Sequence, residues 1–201
     1  MTTTRTATRD SNISNLIKIA LIHYQFETIH PFLDGNGRMG RLLIILYLRE
    51  KSITQYPVLY LSYFFKKNRN RYYELLNNIR IKGEFEEWIK FFINGICEIS
   101  EDAITSIQKI SELKKKDIER IRKFSNGNIS NLLLVYEYLL KHPFVEAEDI
   151  KKLVHVSKPT VNKILENLMD MEILELVEEK KRYRQYVYKK YVDILSEGTI
   201  L

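Results

Sequence analysis

Apolar positions recur at helical spacing through most of the chain. Leu16, Ile19, Ala20, Ile22 and Phe26 predict a largely buried helix. It should stop at His30, because Pro31 disfavours helical geometry in the residue before it. A second apolar run, Leu42 to Leu48, follows a glycine-rich turn. Tyr56-Pro57-Val58-Leu59-Tyr60 then turns the chain, and Ser62 stands where a cap would open a helix to about Ile81, with Tyr63, Phe64, Tyr72 and Tyr73 as aromatic bulk. From Glu84 to about Phe124 the residues Trp88, Phe92, Ile96, Ile99, Ala103, Ile107, Ile110 and Leu113 keep one apolar stripe. This predicts one long helix or two nearly continuous ones. Its charged end, Lys114 to Lys123, is expected to face solvent, and Asn126-Gly127-Asn128 to break it.

The pattern changes after residue 128. Leu132 to Leu140, Glu146 to Leu153 and Lys158 to Met169 read as three short helices, the last opened by Ser157 with Pro159 in its first turn. Ile173 to Val177 and Tyr186 to Tyr188 alternate like two strands around a basic turn, Lys180-Lys181-Arg182. Three helices and a hairpin resemble a winged helix-turn-helix domain. The fold class is mainly α: a lead-in over 1–12 expected to be disordered, a helical domain over 13–110, a helical connector over 111–128 and the winged-helix domain over 129–201.

Composition narrows this picture in few places. With 45% hydrophobic residues among 201, the chain can build a real core, and 7 Gly with 4 Pro argue against an all-β fold. The single Cys97 excludes a disulfide framework and reads as a small buried hydrophobe. No apolar run reaches the roughly 18 residues needed to span a bilayer, so a chain without membrane contact, located in the cytoplasm, is expected.

Candidate chemistry gathers in the turn His30-Pro31-Phe32-Leu33-Asp34-Gly35-Asn36-Gly37-Arg38-Met39-Gly40-Arg41. Gly35 and Gly37 permit positive φ angles, and successive amides in such a turn can form an anion-binding nest at the start of the following helix. Arg38 and Arg41 share one face of its first turn, where a cation is disfavoured by roughly 0.3–1 kcal/mol. Glycine inside a helix adds about 1 kcal/mol per residue. A bound polyphosphate offsets these costs and offers both guanidiniums bidentate partners. Asp34 is a hard oxygen ligand suited to Mg²⁺, and the imidazole of His30 is the natural general base. His23, among apolar neighbours, reads as a hydrogen-bonded core histidine or as a second catalytic group.

This stretch resembles the Fic motif, H-x-F-x-D/E-G-N-G-R-x-x-R, at every defined position. The likeness extends to His23-Tyr24-Gln25-Phe26-Glu27-Thr28 before it and to Tyr60-Leu61-Ser62, Asn68-Arg69 and Tyr72-Tyr73 after it. The resemblance implies a protein adenylyltransferase that moves AMP from ATP to a Ser, Thr or Tyr hydroxyl of a target protein and releases pyrophosphate. His30 would take the hydroxyl proton and Asp34 would hold Mg²⁺. Gly35, Asn36 and Gly37 would surround the α- and β-phosphates, with Arg38 on the β- and Arg41 on the γ-phosphate. Phe32 resembles the family's buried anchor. Asn68 and Tyr72 are candidates for the nucleobase pocket, against plain packing and a solvated amide. A P-loop needs Gly-Lys-Ser/Thr where Arg-Met-Gly stands here. Fic-related kinases carry a bulkier residue at the position of Gly37. The family's flap and its inhibitory Ser/Thr-x-x-x-Glu-Gly/Asn helix find no counterpart ahead of His30. They are expected either to be cut away or to lie on a separate chain, and removal of AMP from a modified protein ranks last.

The winged-helix part brings a second class of function. Residues 141 to 201 hold eleven Lys or Arg and eleven Asp or Glu, so the formal +6 belongs to the first 140 residues. Ser157, Lys158, Thr160, Asn162 and Lys163, with the wing, form the local patch that DNA would meet; protein docking or homodimer formation is the other use. The alternative to an enzyme is a transcriptional regulator or adaptor in which the nucleotide site is idle or acts as a sensor.

Overall fold

The computed structural model describes residues 13–54, 61–124, 128–177 and 184–197. The lead-in, the turn at 56–60, the centre of the break at 126–127 and the basic turn at 180–182 lie outside the described residues. The chain divides into two compact units, one within residues 1–104 and the other within 105–198.

In the first unit, α1 (Asn15–Ile29) opens on Ser14, whose side chain accepts the Leu16 N–H, and closes on His30 in the left-handed conformation, φ 50° and ψ 58°. Pro31 bars the ordinary helical region at His30, and the chain leaves α1 through this turn instead. The apolar run becomes α2 (Asn36–Glu50). The expected helix from Ser62 to Ile81 is two helices, α3 (Leu61–Lys67) and α4 (Arg69–Lys82), and Ser62 lies inside the first rather than capping it. The break falls at Asn68, φ −106° and ψ 31°, whose side-chain amide and backbone N–H both donate to the Phe64 carbonyl at 3.0 Å.

A single helix, α5 (Phe85–Lys123), covers the long stripe. Trp88, Phe92, Ile96 and Ile99 are buried in the first unit with Ile19, Ala20, Ile44 and Leu48 of α1 and α2. Trp88 is fully buried and its Nε1 donates to the Ala20 carbonyl at 3.0 Å. The stripe does not stay covered: Ile107 is exposed. Cys97 is exposed as well, contrary to the expectation of burial, because one step beyond Ile96 turns it about 100° off the stripe. Gly95 has the opposite reason for its size. A Cβ there would stand 2.6 Å from Cδ1 and Cε1 of Phe64. Gly95→Ala is expected to lose about 1–3 kcal/mol of stability through overpacking, read as a lower urea midpoint, even though alanine is the better helix former.

The second unit is a winged helix built on the end of α5. It contains α6 (Ile129–Leu139), β1 (Phe144–Glu146), α7 (Ala147–Val154), α8 (Lys158–Asp170), β2 (Glu175–Leu176), β3 (Gln185–Val187) and α9 (Lys189–Ser196). The antiparallel sheet has the order β1-β3-β2, pairing Val145 with Tyr186 and Leu176 with Tyr186. The sequence pattern missed β1, too short to show a period, and α9. Lys114 to Lys123 is not wholly solvent-facing: Asp117 and Ile121 are buried. Asp117 accepts the Tyr188 hydroxyl at 2.5 Å, and that hydroxyl also meets the Tyr136 hydroxyl at 3.0 Å. Burial raises the Asp117 carboxyl, and it pushes Tyr136 up to about 12.

Candidate functional site

The turn from His30 to Arg41 is held by its own side chains. The Phe32 N–H donates to Asn36 Oδ1 at 2.9 Å, and Asn36 Nδ2 donates back to the Phe32 carbonyl at 2.6 Å. Asn36 is buried at 3% exposure while Phe32 stands 48% exposed, so the amide, and not the aromatic ring expected as anchor, pins the loop. Gly35 adopts φ 80°, in the left-handed region that glycine enters at no steric cost.

No side chain caps α2, and the amides of Asn36, Gly37 and Arg38 find no acceptor among the described residues. Both arginines fold back over this helix start. Arg38 Nη2 lies 3.6 Å from where a Gly35 Cβ would be, and Arg41 Nη1 lies 3.2 Å from the corresponding point on Gly37. Asp34 accepts the Gly35 N–H through Oδ1 at 2.6 Å, and its Oδ2 stands 3.7 Å from Arg38 Nη2 with the carboxylate almost fully exposed. His30 is exposed at the end of α1.

Beside the arginines opens a cleft of about 690 Å³, walled by Leu42 and Ile45 of α2, Tyr63, Phe65 and Lys66 of α3, and Arg69, Tyr72 and Tyr73 of α4. Asn68 is not in this lining, since its amide is turned onto Phe64. Tyr72 lines the cleft, but its hydroxyl is engaged behind it, 3.0 Å from His23 Nε2. His23 Nδ1 lies 3.2 Å from the Gly40 carbonyl, which only accepts, so Nδ1 carries the proton and Nε2 receives the Tyr72 hydroxyl. Burial holds His23 down to about 4, outweighing the Gly40 hydrogen bond, and Arg41 adds to the depression. His23 is thus the core histidine of the two readings.

The pattern singled out neither Arg69 nor Glu27. Arg69 covers the Tyr73 ring at 5.8 Å. Glu27 is half-buried, with its carboxyl raised by burial against the opposing charges of His30 and Arg41. Its signal was a lone acid three residues before His30 in an apolar helix. The five residues assigned to DNA, Ser157, Lys158, Thr160, Asn162 and Lys163, are all exposed at the start of α8. Ser157 Oγ and Thr160 Oγ1 bond each other at 2.9 Å, and Glu166 lies 3.8 Å from Lys163.

A helical unit with an uncapped glycine turn under two arginines, joined in sequence to a winged helix, is the class that the fold and site define. Residues 3–48 match the family model described as Fic/DOC family, and residues 133–194 match that of the sugar-specific transcriptional regulator TrmB. The chain thus has a segment similar to the Fic/DOC family followed by one similar to TrmB. Among its relatives, a probable protein adenylyltransferase of Aquifex aeolicus is 26% identical over 78% of this chain and 44% of its own length. The protein adenylyltransferase Fic of Drosophila yakuba is 26% identical over 59% of this chain and 24% of its own. The chain therefore spans less than half the length of either relative. A Fic family protein from Desulfovibrio desulfuricans G20 has a crystal structure that aligns with a TM-score of 0.46 at 22% identity, over 89% of this chain and 50% of that one. No helix among the described residues is long and apolar enough to cross a membrane.

Proposed function

We propose that the first unit transfers AMP from ATP to a hydroxyl of a target protein. The observation that carries this reading is the return of Arg38 and Arg41 over the unsatisfied amides at the start of α2. Three N–H groups without an acceptor among the described residues, the helix dipole and two guanidiniums lie at the same helix start, an arrangement suited to a polyphosphate. The cleft beside it, with Tyr63, Tyr73 and the cation of Arg69, offers flat surfaces for a base. Tyr72 serves there through its ring, its hydroxyl being spent on His23.

The acceptor hydroxyl oxygen attacks the α-phosphorus, the bond from that phosphorus to the β-bridging oxygen breaks, and pyrophosphate leaves. His30 takes the hydroxyl proton on its imidazole. Arg38 and Arg41 bind the β- and γ-phosphates, and their charge stabilises the departing pyrophosphate. Asp34 fits a Mg²⁺ ion, because one carboxylate oxygen is fixed by the Gly35 amide while the other is exposed at the rim of the turn. Mg²⁺ when bound neutralises phosphate charge. Of the two readings of the sequence, transfer is the one the names of the relatives support, rather than a regulator with an idle site.

Incubation with ATP labelled at the α- or the γ-phosphate tests the reading. Label from the α position alone is expected on protein, and its loss in Arg41→Ala. Label retained from the γ position would mean a kinase and overturn it.

A further inference from the structure

Glu27 is poorly explained by packing. Its Oε1 is buried with no hydrogen-bond partner among the described residues, and lies 2.6 Å from the point that a Cβ on Gly40 would occupy. That Cβ would also stand 3.1 Å and 3.2 Å from Cε1 and Nδ1 of His23. The carboxyl thus fills a slot that exists only because residue 40 is glycine. An unsatisfied buried acceptor costs about 1–3 kcal/mol, and glycine within α2 about 1 kcal/mol more. An apolar residue at 27 would avoid the first of these costs.

The charged and titratable groups around the slot are His23 and His30 from α1, Arg41 from α2 and Tyr72 from α4, while α5 brings only Trp88 and Phe92 toward His23. His23 is neutral, and the Tyr72 hydroxyl proton is committed to it. Arg41 is therefore the permanent cation of the group, and it follows Gly40 directly.

We propose that Glu27 is a positioning residue for Arg41: the carboxyl beneath Gly40, when it carries a proton, leaves the guanidinium over Gly37 for a bound phosphate, and binding of that phosphate draws a proton onto the carboxyl. The inference rests on the reading of Arg41 as a phosphate ligand. An ionised Glu27 would attract the guanidinium and repel the anion. By linkage, the anion then favours the protonated carboxyl to the same extent. Burial already raises the Glu27 carboxyl against the pull of His30 and Arg41.

Calorimetry of inorganic tripolyphosphate binding to the full chain, in two buffers of different ionisation enthalpy, counts the protons taken up. Wild type is expected to take up more than Glu27→Gln, a near-isosteric change. Its affinity should fall relative to that variant as pH rises, by at most about tenfold per pH unit. Gly40→Ala, which displaces the carboxyl, should also lose the excess uptake. Equal proton counts and parallel affinity profiles in wild type and Glu27→Gln would overturn the role of Glu27 and leave the phosphate site standing. Absence of tripolyphosphate binding in both would remove the phosphate site and this inference together.

Discussion

Replacing His30 with asparagine is expected to lower AMP transfer by about 10²–10⁴-fold, the usual contribution of a positioned general base. The choice of asparagine follows from the backbone. His30 sits at φ 50° at the end of α1, a conformation that asparagine enters more readily than most residues with a side chain. Alanine would strain the turn and confuse a folding defect with a chemical one. Asparagine keeps a polar side chain but cannot carry the proton away. Incorporation of α-labelled phosphate should therefore fall while the thermal unfolding midpoint stays close to that of wild type. Activity above a tenth of the wild-type value at neutral pH would show that the proton leaves by another route.

The second large effect concerns acid stability. His23 is held to about 4 in the folded first unit, against an ordinary value of 6.5, because burial disfavours its cation. A histidine depressed in this way contributes stability that is fully present above about 6.5 and is lost as pH falls toward 4. The loss amounts to about 3 kcal/mol when complete. Denaturant midpoints for the first unit should drop steeply across that window. Glu27 works in the opposite sense, since its raised carboxyl favours the folded state at low pH and loses that contribution as pH rises. His23→Gln retains a donor for the Gly40 carbonyl and an acceptor for Tyr72 but does not titrate. It should be less stable than wild type at pH 7, yet lack the steep fall between 6.5 and 4. A profile as steep as wild type would place the acid sensitivity on other groups.

The sequence made the functional turn legible because its cost is local. Glycines and arginines at a helix start conflict with propensity within four residues, and that conflict is visible without tertiary information. His23 was legible for a related reason, as a polar group at an apolar helical position. Other features depended on side-chain contacts that apolar spacing does not record, some local and some between distant segments. Phe32 was read as the loop's anchor, but Asn36, four residues on, forms both backbone hydrogen bonds that hold it. Asn68 broke a helix that periodicity carried straight through, since a side chain bonding its own backbone leaves no trace in apolar spacing. Glu27 stayed hidden because its meaning depends on Gly40, thirteen positions later and on another helix. Asp117 was counted with the solvated lysines around it, although Tyr188, seventy-one residues away, covers it.

That last contact bears on where the winged-helix unit can be cut. A fragment beginning at Ile129, where the sequence pattern changes, would strip Asp117 from Tyr188 and remove Ile121 from the hydrophobic cluster that includes Leu132 and Leu168. Tyr188 would keep only the Tyr136 hydroxyl as partner, and an open apolar hole would face water. Transplanting this winged helix onto another protein would thus require carrying the last turns of α5 with it, as part of the graft and not as tether.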